Sequence, residues 1–193
     1  HVDTTEKIAK FLNINGGRLI YISTDSVFDG IKLSSYQESD DVSPLNVYAT
    51  TKLSGEGFAT SLSTGLVLRT NILGWTSNGN SSFVEWVLRG LIDKTPLNLV
   101  HDVYFSPLHV DYLSVIIERI ITKPIYGLYN CASVDKISKY DFGMKMAEAF
   151  QLTSMNINKV SVDSLKLKAK RPKNMALNSN KIFLALELNP THV

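Results

Sequence analysis

The chain holds a single cysteine, Cys131, in 193 residues, so no disulfide can form within it and a reducing compartment suits it. Charge of neither sign dominates. The 20 Lys and Arg face 18 Asp and Glu, a formal net charge of +2, which implies no strong pull toward nucleic acid or an anionic membrane. The basic stretch 166–173 has no interleaved aromatics and reads as a solvated face. No apolar run reaches the ~18–20 residues needed to cross a bilayer, and the N-terminus lacks the layout of a signal peptide. The four histidines, His1, His101, His109 and His192, stand at no metal-ligand spacing with one another or with Cys131. The expectation is therefore a cytoplasmic protein with no membrane, nucleic-acid or metal partner. Internal repeats and low-complexity segments are also lacking.

What is present is enough apolar sequence, 44% of residues, for one substantial core or one and a half small domains. Asp3 or Thr4 can cap a first helix, with Ile8, Phe11 and Leu12 as its apolar stripe and Asn15-Gly16-Gly17 as its end. Residues 18–23 are apolar and rich in β-branched side chains before breaking into hydroxyls. They read as a buried strand whose C-terminal end delivers Ser23, Thr24 and Asp25 to a cleft. Residues 28–46 are polar and turn-rich, a length of loop that is usually functional or mobile. A helix follows from near Asn46, then a buried strand at 65–70 and a second polar loop at 71–82. Further helices are expected at 83–92, from 110 with Leu113, Ile116, Ile117, Ile120 and Ile121 on its apolar face, and at 139–150 with Phe142, Met146, Ala149 and Phe150 inward. Short strands are expected at 96–100 and 126–132, and a last short helix near 179–186.

The chemistry concentrates at Tyr48-Ala49-Thr50-Thr51-Lys52. Tyr48 and Lys52 stand one helical turn apart, so both project from one face. An ammonium beside a phenol favours the phenolate, which makes tyrosine a usable proton donor and acceptor near neutral pH. With a hydroxyl from a strand tip, this is equipment for reducing or oxidising a carbon–oxygen bond. The plainer alternative is an amphipathic helix with an ordinary half-buried tyrosine and a solvated lysine. Glu56 is expected to anchor its helix or pair with a lysine, and Arg69 and Arg171 could each meet a phosphate.

Tyr-x-x-x-Lys with an upstream Ser/Thr resembles the extended short-chain dehydrogenase/reductases that act on nucleotide sugars, the dTDP-4-dehydrorhamnose reductases above all. The words that carry the resemblance run in order along the chain. They are Ser23-Thr24-Asp25-Ser26-Val27-Phe28-Asp29-Gly30, the Tyr48–Glu56 stretch, Leu68-Arg69-Thr70, Ser106-Pro107 and Arg171-Pro172-Lys173-Asn174. The resemblance implies an α/β, Rossmann-like doubly wound parallel sheet with a smaller C-terminal substrate lobe. Residues 1–72 would be the later part of the NAD(P)-binding domain, and 73–193 mainly the substrate lobe, with about 101–123 returning to the core.

By the same resemblance Thr24, Tyr48 and Lys52 are catalytic, with Tyr48 as general acid and Thr24 on the carbonyl. Ser23, Tyr48, Lys52 and Asn71 would bind NADPH or NADH, and Thr24, Asp25 and Ile72 the nucleotide-sugar substrate. A homodimer is compatible with it. The sequence departs from the pattern at Ile72, where rhamnose-type reductases carry a Trp that stacks on the substrate, and mildly at Ala49 and Thr51. The family's Gly-x-x-Gly-x-x-Gly turn, which seats the cofactor pyrophosphate at a helix N-terminus, has no counterpart here. On the order of 60–100 residues of βα structure, at ~30 per βαβ unit, are expected to precede this sequence. Two alternatives stay open: an epimerase or dehydratase on the same scaffold, and a non-catalytic subunit resembling the methionine adenosyltransferase regulatory subunit. A Glu directly after Thr24 would favour a dehydratase; Asp25 stands there instead.

Overall fold

The computed structural model describes residues 2–76, 81–165 and 169–193. Helix α1 (Val2–Asn15) leads into strand β1 (Leu19–Ile22), a 3-10 turn (Asp25–Val27) and helix α2 (Val47–Thr60). Strand β2 (Gly65–Arg69) is buried at every position and pairs in parallel with β1 on one side and β7 (Gly127–Asn130) on the other. A strand covered on both faces needs apolar residues throughout, which Gly65-Leu66-Val67-Leu68 supplies. Leu66 and Leu68 point into a core with Leu113, Ile116 and Ile120 of α4 (Val110–Thr122) and Ile182, Phe183 and Leu186 of α6 (Asn180–Leu186). Helix α2 packs against β1 and β2 and also contacts α1. The α/β architecture with a parallel sheet follows from this pattern.

A second core lies between α3 (Phe83–Ile92), α5 (Lys139–Ala149) and the parallel pair β4 (Leu97–Val100) and β9 (Ile157–Val160). Phe105 of β5 (Tyr104–Phe105) joins it, and β5 pairs antiparallel with β8 (Ile137–Ser138). Among the described residues the short parallel pair β3 (Ile72–Leu73) and β6 (Leu108–His109) completes the strands. No helix among the described residues is long and apolar enough to cross a membrane.

Several sequence expectations need correction. Helix α1 starts at Val2, ahead of the expected caps Asp3 and Thr4, and it buries Thr5 and Ala9. Ile8 and Phe11 of its expected stripe face solvent in this chain. Ile121, Ala149 and Phe150 are likewise exposed, and α5 buries Gly143 and Ala147 beside Phe142 and Met146 instead. Residues 28–46 are strapped down. Tyr36 N–H donates to the Ala176 carbonyl at 2.8 Å and the Asn178 N–H donates to the Tyr36 carbonyl at 2.8 Å. The Asn174 amide donates to the carbonyls of Lys32 and Ser34, and the Tyr36 ring stacks on Phe28 at 4.1 Å.

Candidate active site

The parallel strands β1 and β2 end on the same side, and the side chains that follow them meet the first turns of α2. Asn46 caps α2, its side chain accepting from the Ala49 N–H at 3.0 Å, which fixes where the helix starts and sets the Tyr48–Lys52 face. A pocket of about 340 Å³ results, lined by Ser23, Thr24, Asp25, Tyr48, Lys52, Asn71 and Ile72 among others. The structure therefore brings Ser23, Thr24, Asp25, Tyr48, Lys52, Asn71 and Ile72 together from three separate segments, while Arg171 lines a different cavity.

Tyr48 is 57% exposed, so its phenol stands at the mouth of the pocket. The Lys52 ammonium donates to the Ile22 carbonyl at 2.5 Å and lies 4.7 Å from the centre of the Tyr21 ring. Among the described residues no hydrogen bond joins it to the Tyr48 hydroxyl. Burial holds the Lys52 pKa below the usual lysine value, and the Glu56 carboxylate one turn on opposes that shift. The Tyr21 hydroxyl in turn donates to the Lys52 carbonyl at 3.2 Å. Gly55 makes room for it, since a Cβ there would lie 2.2 Å from the Tyr21 hydroxyl.

Thr24 caps the 3-10 turn, its hydroxyl oxygen accepting from the Ser26 N–H at 3.2 Å. Asp25 is 2% exposed and accepts from Asn71 Nδ2 at 2.5 Å and from the hydroxyls of Thr24 and Ser26. Burial pushes its carboxyl above the usual range, while these hydrogen bonds and the Lys139 charge push it down. Asn71 is thus engaged with Asp25, and Ile72 offers a half-exposed apolar edge.

Behind the pocket sits an ion pair that the sequence did not disclose. Arg69 donates to Glu56 through Nε at 3.0 Å and Nη2 at 2.7 Å, with both residues about 5% exposed or less. Arg69 is accordingly unavailable to a phosphate, and the partner of Glu56 is an arginine, not a lysine. Ser23 Oγ donates to the same carboxylate at 2.5 Å. The Arg69–Glu56 spacing carries no local periodicity, so only the tertiary fold reveals it. Asp102 accepts hydrogen bonds from Ser161 and the Val162 N–H and pairs with Lys173.

Fold and cleft together place the chain among Rossmann-like α/β proteins whose site lies at the carboxyl ends of a parallel sheet. Within that class the chain belongs to the family described as RmlD substrate binding domain, which it matches over residues 1–192. It is 31% identical to "Methionine adenosyltransferase 2 subunit beta" of Pongo abelii over 94% of this chain and 56% of that protein. It is 30% identical to the dTDP-4-dehydrorhamnose reductase of Aggregatibacter actinomycetemcomitans over 90% of this chain and 62% of that protein. The chain thus spans about three fifths of the length of these curated relatives. Among solved structures it resembles dTDP-4-dehydrorhamnose reductase from Bacillus anthracis in complex with NADP, with a TM-score of 0.85 at 27% identity. That match covers 95% of this chain and 68% of the other.

Proposed function

We propose that this chain carries the proton-handling and substrate side of an NAD(P)H-dependent reductase of a nucleotide-linked 4-keto-6-deoxy sugar. The observation that carries the reading is the convergence of Thr24, Tyr48 and Lys52 on one pocket at the ends of parallel strands. The hydroxyl and ammonium groups there suit the nicotinamide-ribose end of a dinucleotide, with Lys52, Tyr48, Ser23 and Asn71 as the residues to hold it. When bound, the cofactor supplies a hydride. As the substrate carbonyl carbon gains that hydride, the carbonyl π electrons move to oxygen, and the Tyr48 hydroxyl donates its proton to that oxygen. Thr24 redirects its hydroxyl hydrogen from Asp25 to the same oxygen and aims it. Tyr48 stands at the pocket mouth and recovers its proton from water. Residues 1–72 would serve the dinucleotide side, and 73–193 mainly the sugar nucleotide, with about 101–123 returning to the core.

The test is oxidation of NADPH and NADH by the full-length gene product with a panel of dTDP- and UDP-4-keto sugars, beside Tyr48→Phe. The expected result is turnover with one sugar that falls roughly 10²–10⁴-fold in the variant, the usual contribution of a general acid. Undiminished turnover in Tyr48→Phe sinks the mechanism. The similarity to methionine adenosyltransferase beta subunits favours a second reading, a non-catalytic subunit. Dinucleotide binding with no turnover on any sugar supports that reading.

A further inference from the structure

Of the described residues that line the Tyr48 pocket, Lys52 alone is a cation, and the acids around it are already engaged. The Glu56 carboxylate, one helical turn on, is taken by Arg69 and Ser23. Asp25 accepts from Asn71, Thr24 and Ser26. The direct partners of the ammonium are the Ile22 carbonyl at 2.5 Å and the Tyr21 ring, whose centre lies 4.7 Å away. Burial depresses the Lys52 pKa, and the already paired Glu56 opposes that shift.

Tyr21 lies between Ile20 and Ile22 in β1, opposite Val67 of β2. Apolar bulk under α2 would need no more than another isoleucine, yet the chain places a ring there and clears space for it. A Cβ on Gly55 would lie 2.5 Å from the Tyr21 Cζ. The hydroxyl donates to the Lys52 carbonyl at 3.2 Å, so one tyrosine meets both the backbone and the ammonium of the same lysine. The titratable groups of α2 that face this pair are Tyr48 and Glu56. Burial raises the Tyr21 phenol, and Glu56 and Tyr48 raise it further. The ring therefore stays neutral and keeps its electron-rich face for the cation.

We propose that Tyr21 is a positioning residue whose ring stands in for a counter-ion, holding the Lys52 ammonium charged and turned into the pocket. A carboxylate in its place would bind the ammonium more tightly, but it would occupy the N–H groups and cancel the charge. A ring attracts the cation through its quadrupole and leaves that charge uncancelled. With one of three N–H groups on the Ile22 carbonyl, the others remain for the hydroxyls of a ligand. The proposal deepens the reading of Lys52 as a dinucleotide-holding residue and rests on it for that last step.

The experiment follows the ionisation of Lys52 by NMR in the full chain grown with isotopically labelled lysine, with Lys52→Met to assign the signal. Tyr21→Phe, which keeps the ring, is compared with a phenylalanine at the same position that bears three ring fluorines. The fluorines keep the shape and weaken the negative face of the ring. The Lys52 midpoint should match the parent in Tyr21→Phe and fall by roughly 0.4–1.5 pH units in the fluorinated protein, the size of a cation–π contact. Dinucleotide affinity of the full-length gene product should then be lost on the alkaline side at a pH lowered by the same amount. Equal midpoints in the two ring variants overturn the hold of the ring on Lys52. A Tyr21→Phe midpoint as low as the fluorinated one assigns the effect to the hydroxyl and overturns it too. A lowered midpoint with an unmoved affinity profile overturns the positioning of Lys52 for the ligand. The midpoints need neither cofactor nor sugar. A lowered midpoint without turnover on any keto sugar therefore supports the role of the ring and defeats only the reductase reading.

Discussion

Ser23 donates a 2.5 Å hydrogen bond to Glu56 across 33 residues of sequence, and Arg69 holds the same carboxylate. The end of β1, the end of β2 and the third turn of α2 are therefore fastened at one buried point directly behind Thr24 and Lys52.

Removing Glu56 strands a buried guanidinium. We expect Glu56→Ala to cost about 3–5 kcal/mol, as for other broken buried pairs, and Glu56→Gln to cost less because it keeps an acceptor for Ser23. Urea unfolding of the three proteins measures this. Equal stability of Glu56→Ala and the parent would show that water reaches Arg69 and that the pair holds nothing together.

Gly55 gives the second expectation. A methyl there meets the Tyr21 hydroxyl, whose ring lies beneath the Lys52 ammonium. Gly55→Ala is expected to cost about 1–3 kcal/mol, the usual penalty of overpacking, and to weaken dinucleotide binding by displacing Lys52. Thermal melts with a dinucleotide titration test both parts, and a variant that matches the parent in each refutes the support role.

Asp25 fixes a pH dependence. Its native pKa is raised above the ordinary 3.8 mainly by burial, so the folded state binds the proton more tightly than the unfolded chain does. The stability linked to this group is fully present below that ordinary value and is lost as pH rises through the native pKa. Asp25→Asn removes the titration. The melting temperature of Asp25→Asn relative to the parent should therefore rise between about pH 4 and pH 7, whatever constant offset the lost hydrogen bonds add. A difference that stays flat or falls over that range contradicts the assignment.

Cys131 is fully buried just past β7, and burial pushes its thiol up to about 12. Labelling by a thiol reagent should be negligible in native buffer at pH 8 and should appear in step with unfolding as urea is added. Rapid native labelling would mean that the sheet opens locally beside β7.

The elements were largely legible from apolar periodicity. Helix α3 runs over 83–92 and α4 begins at Val110, as their stripes indicate, because each has one face against a core. The side chains of the Tyr48 pocket were legible because each lies at a strand end or on the first turns of a capped helix. Three things were hidden. The Glu56–Arg69 pair and the Asp25–Asn71 hydrogen bond join residues 13 and 46 positions apart, with no local pattern to announce them. Nothing in the local sequence sets Lys139 apart, since only the fold brings Phe83 and Phe105 around it. On α1 the buried residues are Thr5 and Ala9 while Ile8 and Phe11 face solvent, so apolar periodicity alone did not give its buried side.

The parallel pairing of β2 with β7 also governs the order of assembly. Leu68 lies opposite Tyr129, so the middle strand of the sheet waits for a partner some sixty residues downstream. Residues 28–46 wait longer still, for the strap at 174–178. Contacts between such distant segments close slowly because loop entropy must be overcome before they stabilise anything. On an emerging polypeptide, Tyr48 and Lys52 can sit on a formed helix well before the pocket around them exists. Binding competence should then appear late in refolding, as a phase that lags the recovery of helical signal.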